Sequence, residues 1–90
     1  MPAPAELWGQ ADCDQPTSWL GAHGLDLRQR ADGRWQLLVV NHTERESVEF
    51  FEVLDAEAER PRAVWRGCAI APAEGNFNDV IGLADGSLLV

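Results

Sequence analysis

His23 and His42 are the only imidazoles in the 90-residue chain, and each stands at the end of an apolar stretch. His23 precedes Gly24-Leu25, and His42 closes the run Leu37-Leu38-Val39-Val40-Asn41. An Asp32-Gly33 turn signal lies between them, and a hairpin turning there pairs residues whose numbers sum to about 65. That register sets His23 opposite His42 at one end of the strand pair. Two facing imidazoles can move a proton, the first as general base and the second tuning it. The plain alternative is two separate hydrogen-bonded histidines at a sheet edge. Asn78-Asp79 forms a second constellation, since amide and carboxylate oxygens are the hard ligands that calcium takes about six to eight at a time. The same dipeptide is also an ordinary turn pair.

Other chemistry finds little in the chain. Glu44, Glu46, Glu49 and Glu52, with Asp55, Glu57 and Glu59, read as a solvated face and loop rather than a glycosidase carboxylate pair. Cys13 and Cys68 have no zinc spacing with the histidines. They can form one disulfide or none, and free thiols are the assumption made from sequence. Neither a Gly-x-Ser-x-Gly elbow nor a phosphate-cradling glycine loop occurs. The net charge of −8, with fifteen acids against seven arginines, would repel a phosphate backbone or an anionic lipid surface, so neither nucleic acid nor membrane is expected as a partner. Residues 1–6 carry no basic segment and no long apolar run, which gives no leader or span in the chain as given and cytoplasm as the default compartment. Asn41-His42-Thr43 fits a glycosylation sequon, but at the end of a buried strand it carries no weight.

The elements that must position these side chains are strands. Leu37–Val40 is apolar on consecutive positions, too short for an ordinary helix and bounded by polar turns, which predicts a strand buried on both faces. Residues 1–22, rich in Pro, Ala, Gly and Asp, read as an irregular segment with a helical turn near 18–20 and with Trp8 and Trp19 as apolar anchors. Strands are predicted near 25–30, 34–42, 47–54, 62–70, 79–83 and 87–90. A helix over 47–59 competes, but Val48, Phe50, Phe51 and Val53 favour extended structure. Asp32-Gly33 returns as Asp85-Gly86, 53 positions on, near the spacing of propeller blades. The fold class expected is therefore all-β, with antiparallel strands over 23–90 making about one and a half blades of a β-propeller. The chain stops inside an apolar strand at Leu88-Leu89-Val90, the mark expected of part of a larger protein whose blades need neighbours.

Leu38-Val39-Val40-Asn41-His42, followed by Glu46-Ser47-Val48-Glu49-Phe50-Phe51, with His23-Gly24-Leu25 upstream and Asn78-Asp79-Val80 downstream, resembles the paraoxonase/arylesterase family. These are six-bladed propellers of the wider gluconolactonase and strictosidine-synthase-like group. The resemblance spans about residues 22–90 and lies in three motifs occurring in order. It implies a hydrolase of lactones and aryl esters that uses one catalytic and one structural calcium ion. It also implies His23 and His42 as the histidine dyad, Asn78 as a ligand of the catalytic calcium, and Asp79 with the Leu25 carbonyl as ligands of the structural one. The family's upstream Glu-Asp ligand pair has no counterpart among Glu6, Asp12 and Asp14, and its further Asn and Asp ligands belong to later blades.

The function expected is thus a fragment of a calcium-dependent esterase or lactonase acting on a small ester or lactone, inactive as the isolated chain. The alternatives are a non-catalytic propeller used as a binding surface, and a small standalone β protein. A lone blade is expected to leave strand 36–42 uncovered on both faces, so that the isolated chain self-associates.

Overall fold

The computed structural model describes residues 6–18, 20–71, 81–82 and 88–89. The chain is all-β, with strands β1 (Ala22–Gln29), β2 (Trp35–Asn41), β3 (Ser47–Leu54), β4 (Arg62–Ile70), β5 (Ile81–Gly82) and β6 (Leu88–Leu89). The first four form one antiparallel sheet in the order β1-β2-β3-β4, and β5 pairs with β6 in a separate two-stranded ladder. No helix occurs among the described residues. The run rich in β-branched and aromatic side chains from Ser47 therefore follows its strand propensity, not the helical one of its glutamates. Ser18 and Leu20 lie in no helix, and Trp19, Asn78 and Asp79 fall outside the described residues.

The first hairpin turns through three residues, Ala31-Asp32-Gly33, not two. Arg30 N–H donates to Arg34 O at 2.7 Å and Gly33 N–H to Arg30 O at 3.0 Å. Gly33 takes φ 86°, the left-handed conformation that a three-residue hairpin loop requires and that glycine adopts without steric cost. The extra loop residue lowers the register by one, so Leu25 faces Val39 and Leu27 faces Leu37. A further irregularity between Ala22 and Leu25 brings Ala22 opposite Asn41. Two residues of β1, His23 and Gly24, then stand against the single Val40, a β-bulge. The expected direct pairing of His23 with His42 is corrected accordingly: His42 N–H donates to Gly21 O at 3.3 Å, and His23 lies diagonal to it.

Alternation along β2 and β3 sends Leu38, Val40, Val48 and Phe50 to one face, where they pack with Trp8. The opposite face carries a second cluster of Cys13, Trp65 and Cys68, against which Leu7 and Phe51 pack. Residues 6–18, without helix or strand, still build the core, because Trp8 N–H donates to Arg66 O and Gln10 N–H to Cys68 O, both at 2.8 Å. This segment runs beside β4 and occupies hydrogen-bonding groups that an edge strand would otherwise expose. Gly67, with φ 150°, is needed at that approach, since a Cβ there would collide with the Trp8 carbonyl oxygen.

Three further expectations change. Cys13 and Cys68 are joined in a disulfide with Cα atoms 5.6 Å apart, because the N-terminal segment folds back onto β4; the free-thiol assumption is wrong. Strand β2 is covered on both faces, with Leu38, Val39 and Val40 all buried, since Trp8 and Leu88 pack over the Leu38–Val40 side. Among the described residues the most exposed large apolar side chains lie on the edge strand β1, at Leu25 (62%) and Leu27 (57%). Finally, Glu49 and Glu52 do not belong to a solvated face: both are buried, each neutralised by arginine, as a buried carboxylate requires.

Candidate functional site

The histidines meet at the end of the sheet where β1 begins and β2 stops. Their ring centroids are 5.0 Å apart and their planes cross at 83°, an edge-on contact. The bulge at His23-Gly24 brings this about, since an extra residue re-aims the side chains beside it. His23 is exposed and His42 half-buried.

His42 is held by the five-residue connection from β2 to β3, which Asn41 organises. Its side chain is fully buried, and its Oδ1 accepts from Gly21 N–H at 3.0 Å and Thr43 N–H at 3.1 Å. Its Nδ2 donates to Thr43 O at 2.8 Å and Arg45 O at 3.5 Å. Both acceptor sites and both donors of the amide are thereby used, which is all that an Asn side chain can offer. Glu44, at φ 69°, occupies a conformation unusual for its type that the surrounding bonds must hold. Its carboxylate also accepts from Ser18 N–H at 3.1 Å. Arg45 ties the loop to the N-terminal segment through Gln15 O at 2.9 Å.

Because Asn41 pairs with Ser47, the loop's first and last residues are brought together at its mouth. His42 Nδ1 is hydrogen-bonded to Glu46 Oε2. An imidazole whose second neighbour is a carboxylate is arranged as a proton acceptor with a fixed tautomer, the relationship of base to orienting group in nucleophilic and hydrolytic sites. Glu46 went unrecognised from sequence because acids beside a turn usually face solvent. The signal available was its position: the residues that flank a strand pair from inside its loop are neighbours.

Two buried carboxylates flank the sheet and serve structure. Glu49 accepts from Arg45 Nε at 3.2 Å and Nη2 at 2.9 Å, from Trp65 Nε1 at 2.9 Å and from Ser47 Oγ. Glu52 accepts from Arg34 and Arg66. The Arg34 hydrogen bonds, against the opposing push of burial and with Arg66 adding, hold the Glu52 carboxyl down at about 2. Glu52, Arg34 and residues 53–58 line an open groove of about 490 Å³ at the other end of the sheet from the histidines.

Of the residues expected to hold calcium, Leu25 is on β1, while Asn78 and Asp79 lie outside the described residues. No group of three or more His, Cys, Asp or Glu able to hold a metal ion occurs among the described residues. One strand carbonyl is far from the six to eight oxygens of a calcium shell, so the described residues do not fit that ion by themselves. Compared with known proteins, the chain matches no family model, no curated protein and no solved structure.

Proposed function

We propose that this chain is part of a β-propeller hydrolase of carboxylic esters or lactones, with His23 as general base and His42 behind it. The observation that carries the reading is the edge-on contact of the two imidazoles, with His42 backed by Glu46. The four-stranded antiparallel sheet is compatible with a propeller blade, and the motifs resembling the paraoxonase/arylesterase family add to that support. In this reading His23 removes a proton from water as its oxygen adds to the ester carbonyl carbon, and the carbonyl π pair moves onto oxygen. The tetrahedral intermediate collapses, the bond to the leaving oxygen breaks, and that oxygen takes the proton back. No step is assigned to calcium. It remains the cofactor implied by the resemblance, with Asn78, Asp79 and the Leu25 carbonyl as proposed ligands too few to bind it tightly in the 90-residue chain.

The test is hydrolysis of an aryl acetate and of a small lactone by the protein of the complete reading frame containing this chain, before and after chelation. Turnover abolished by chelation and restored by calcium is the expected result. Absence of hydrolysis of both substrates, or activity that survives complete chelation, would overturn the respective parts of the reading.

A further inference from the structure

The connection from β2 to β3 begins with His42 and ends with Glu46, and the imidazole Nδ1 and carboxylate Oε2 share a hydrogen bond. A carboxylate has no proton to give, so the proton of that bond resides on Nδ1. In neutral His42 the other ring nitrogen, Nε2, is then left with its lone pair. Neutral imidazole in water prefers the opposite arrangement, with the proton on Nε2, so this tautomer has to be imposed. Arg45, the nearest cation in sequence, does not take Glu46 away: its guanidinium is directed to Glu49 and to the Gln15 carbonyl. The four bonds of the Asn41 amide fix the loop backbone, and the Glu46 carbonyl accepts from Ala71 N–H at 2.9 Å, so the main chain that presents His42 and Glu46 to each other is held at both ends.

We propose that Glu46 is the positioning residue of the histidine pair: its carboxylate holds His42 with the proton on Nδ1, keeping Nε2 as the acceptor for a proton handed on by His23. This rests on the hydrolase reading above. When His23 takes a proton from water, its other N–H proton passes to Nε2 of His42, and His42 becomes an imidazolium beside Glu46, which stays ionised. The same proton returns through His23 to the leaving oxygen, so no oxidant, reductant or further acid is consumed. Without Glu46 the ring turns or takes its water-preferred tautomer, and an N–H then faces the proton that His23 has to pass on.

Long-range 1H–15N correlation of the imidazole rings in the 90-residue chain, at a pH where both histidines are neutral, reads the tautomer directly. The expected wild-type result is a protonated-type nitrogen at His42 Nδ1 and a lone-pair-type nitrogen at Nε2. In Glu46→Ala this pattern inverts, whereas Glu46→Gln, whose amide oxygen can still accept from Nδ1–H, retains it. A wild-type His42 protonated on Nε2, or an unchanged pattern in a folded Glu46→Ala, overturns the proposal. If Glu46→Ala fails to fold, the wild-type and Glu46→Gln spectra decide. In the complete protein, Glu46→Ala is expected to lower kcat about tenfold or more at unchanged KM, part of the hundredfold or greater contribution of a general base. The predicted tautomer in a complete protein without esterase activity would leave the bond structural and overturn the relay, whereas the wrong tautomer in an active one sinks only the role of Glu46.

Discussion

Removing the Asn41 side chain tests how the site is held. The amide is fully buried and makes four bonds, of which three are well formed, at 2.8, 3.0 and 3.1 Å, and the fourth is long, at 3.5 Å. A net contribution of about 1 kcal/mol for each well-formed bond gives about 3 kcal/mol for Asn41→Ala. Water reaching the half-buried loop groups Gly21 and Thr43 reduces this to no less than about 2 kcal/mol. Asn41→Asp separates the donor half from the acceptor half. The bonds from Gly21 and Thr43 N–H survive, but a carboxylate oxygen replaces the donor 2.8 Å from the Thr43 carbonyl oxygen. That repulsion should make N41D at least as unstable as N41A at neutral pH, with partial recovery in acid as the new carboxyl gains a proton to donate. Urea unfolding followed by tryptophan fluorescence measures both, Trp8 and Trp65 being buried reporters. A loss below about 1 kcal/mol for N41A, or N41D as stable as wild type at neutral pH, would refute the role given to this amide.

Three further predictions concern the scaffold. Glu52, held at about 2 against an ordinary 4.5, contributes stability that is complete above 4.5 and lost as pH falls from 4.5 towards 2. The shift corresponds to about 3 kcal/mol, reduced to about 2 because its arginine partners are partly solvated; Glu52→Gln should lose this at pH 7 and close the gap near pH 2, and a constant gap in urea unfolding across that range would contradict it. The Cys13–Cys68 disulfide closes a separation of 55 residues, which by loop entropy amounts to about 4 kcal/mol; paired Cys→Ser variants losing less than about 1 kcal/mol would show that the N-terminal segment docks without it. Leu25 and Leu27 form an exposed apolar pair on an edge strand, so the 90-residue chain should self-associate in sedimentation and the double Leu→Ser variant should not; a wild-type chain that stays monomeric at high concentration would remove this argument.

Much of the scaffold is legible in the sequence. The apolar runs place β3 at Ser47–Leu54 and β4 at Arg62–Ile70, at the expected limits, because connections rich in Asp and Glu, the second closed by Pro61, punctuate them. Register is not legible to one residue: an Asp-Gly pair suits two- and three-residue loops alike, and only the backbone at Gly33 and the bulge at His23-Gly24 fix what faces His42. The burial of Glu49 and Glu52 is hidden because a polar pattern predicts solvent, whereas Glu52 meets Arg34, beside the start of β2, and Arg66 on β4, and Glu49 meets Arg45 only because the loop before β3 turns that side chain back over the sheet. The disulfide was hidden because two cysteines do not reveal that residues 6–18 fold back onto β4. At the site, the hairpin places His23 and His42 at one end of the strand pair, but their contact depends on the bulge, and Asn41 and Glu46 acquire their parts only through the loop geometry.

The most direct measurement is turnover of an aryl ester by the complete protein, wild type against His42→Gln, alongside a calcium titration of each. The account predicts that kcat falls about a hundredfold or more while calcium affinity stays as in wild type. Unchanged turnover in the His42→Gln protein would contradict the account and leave the two imidazoles as structural neighbours.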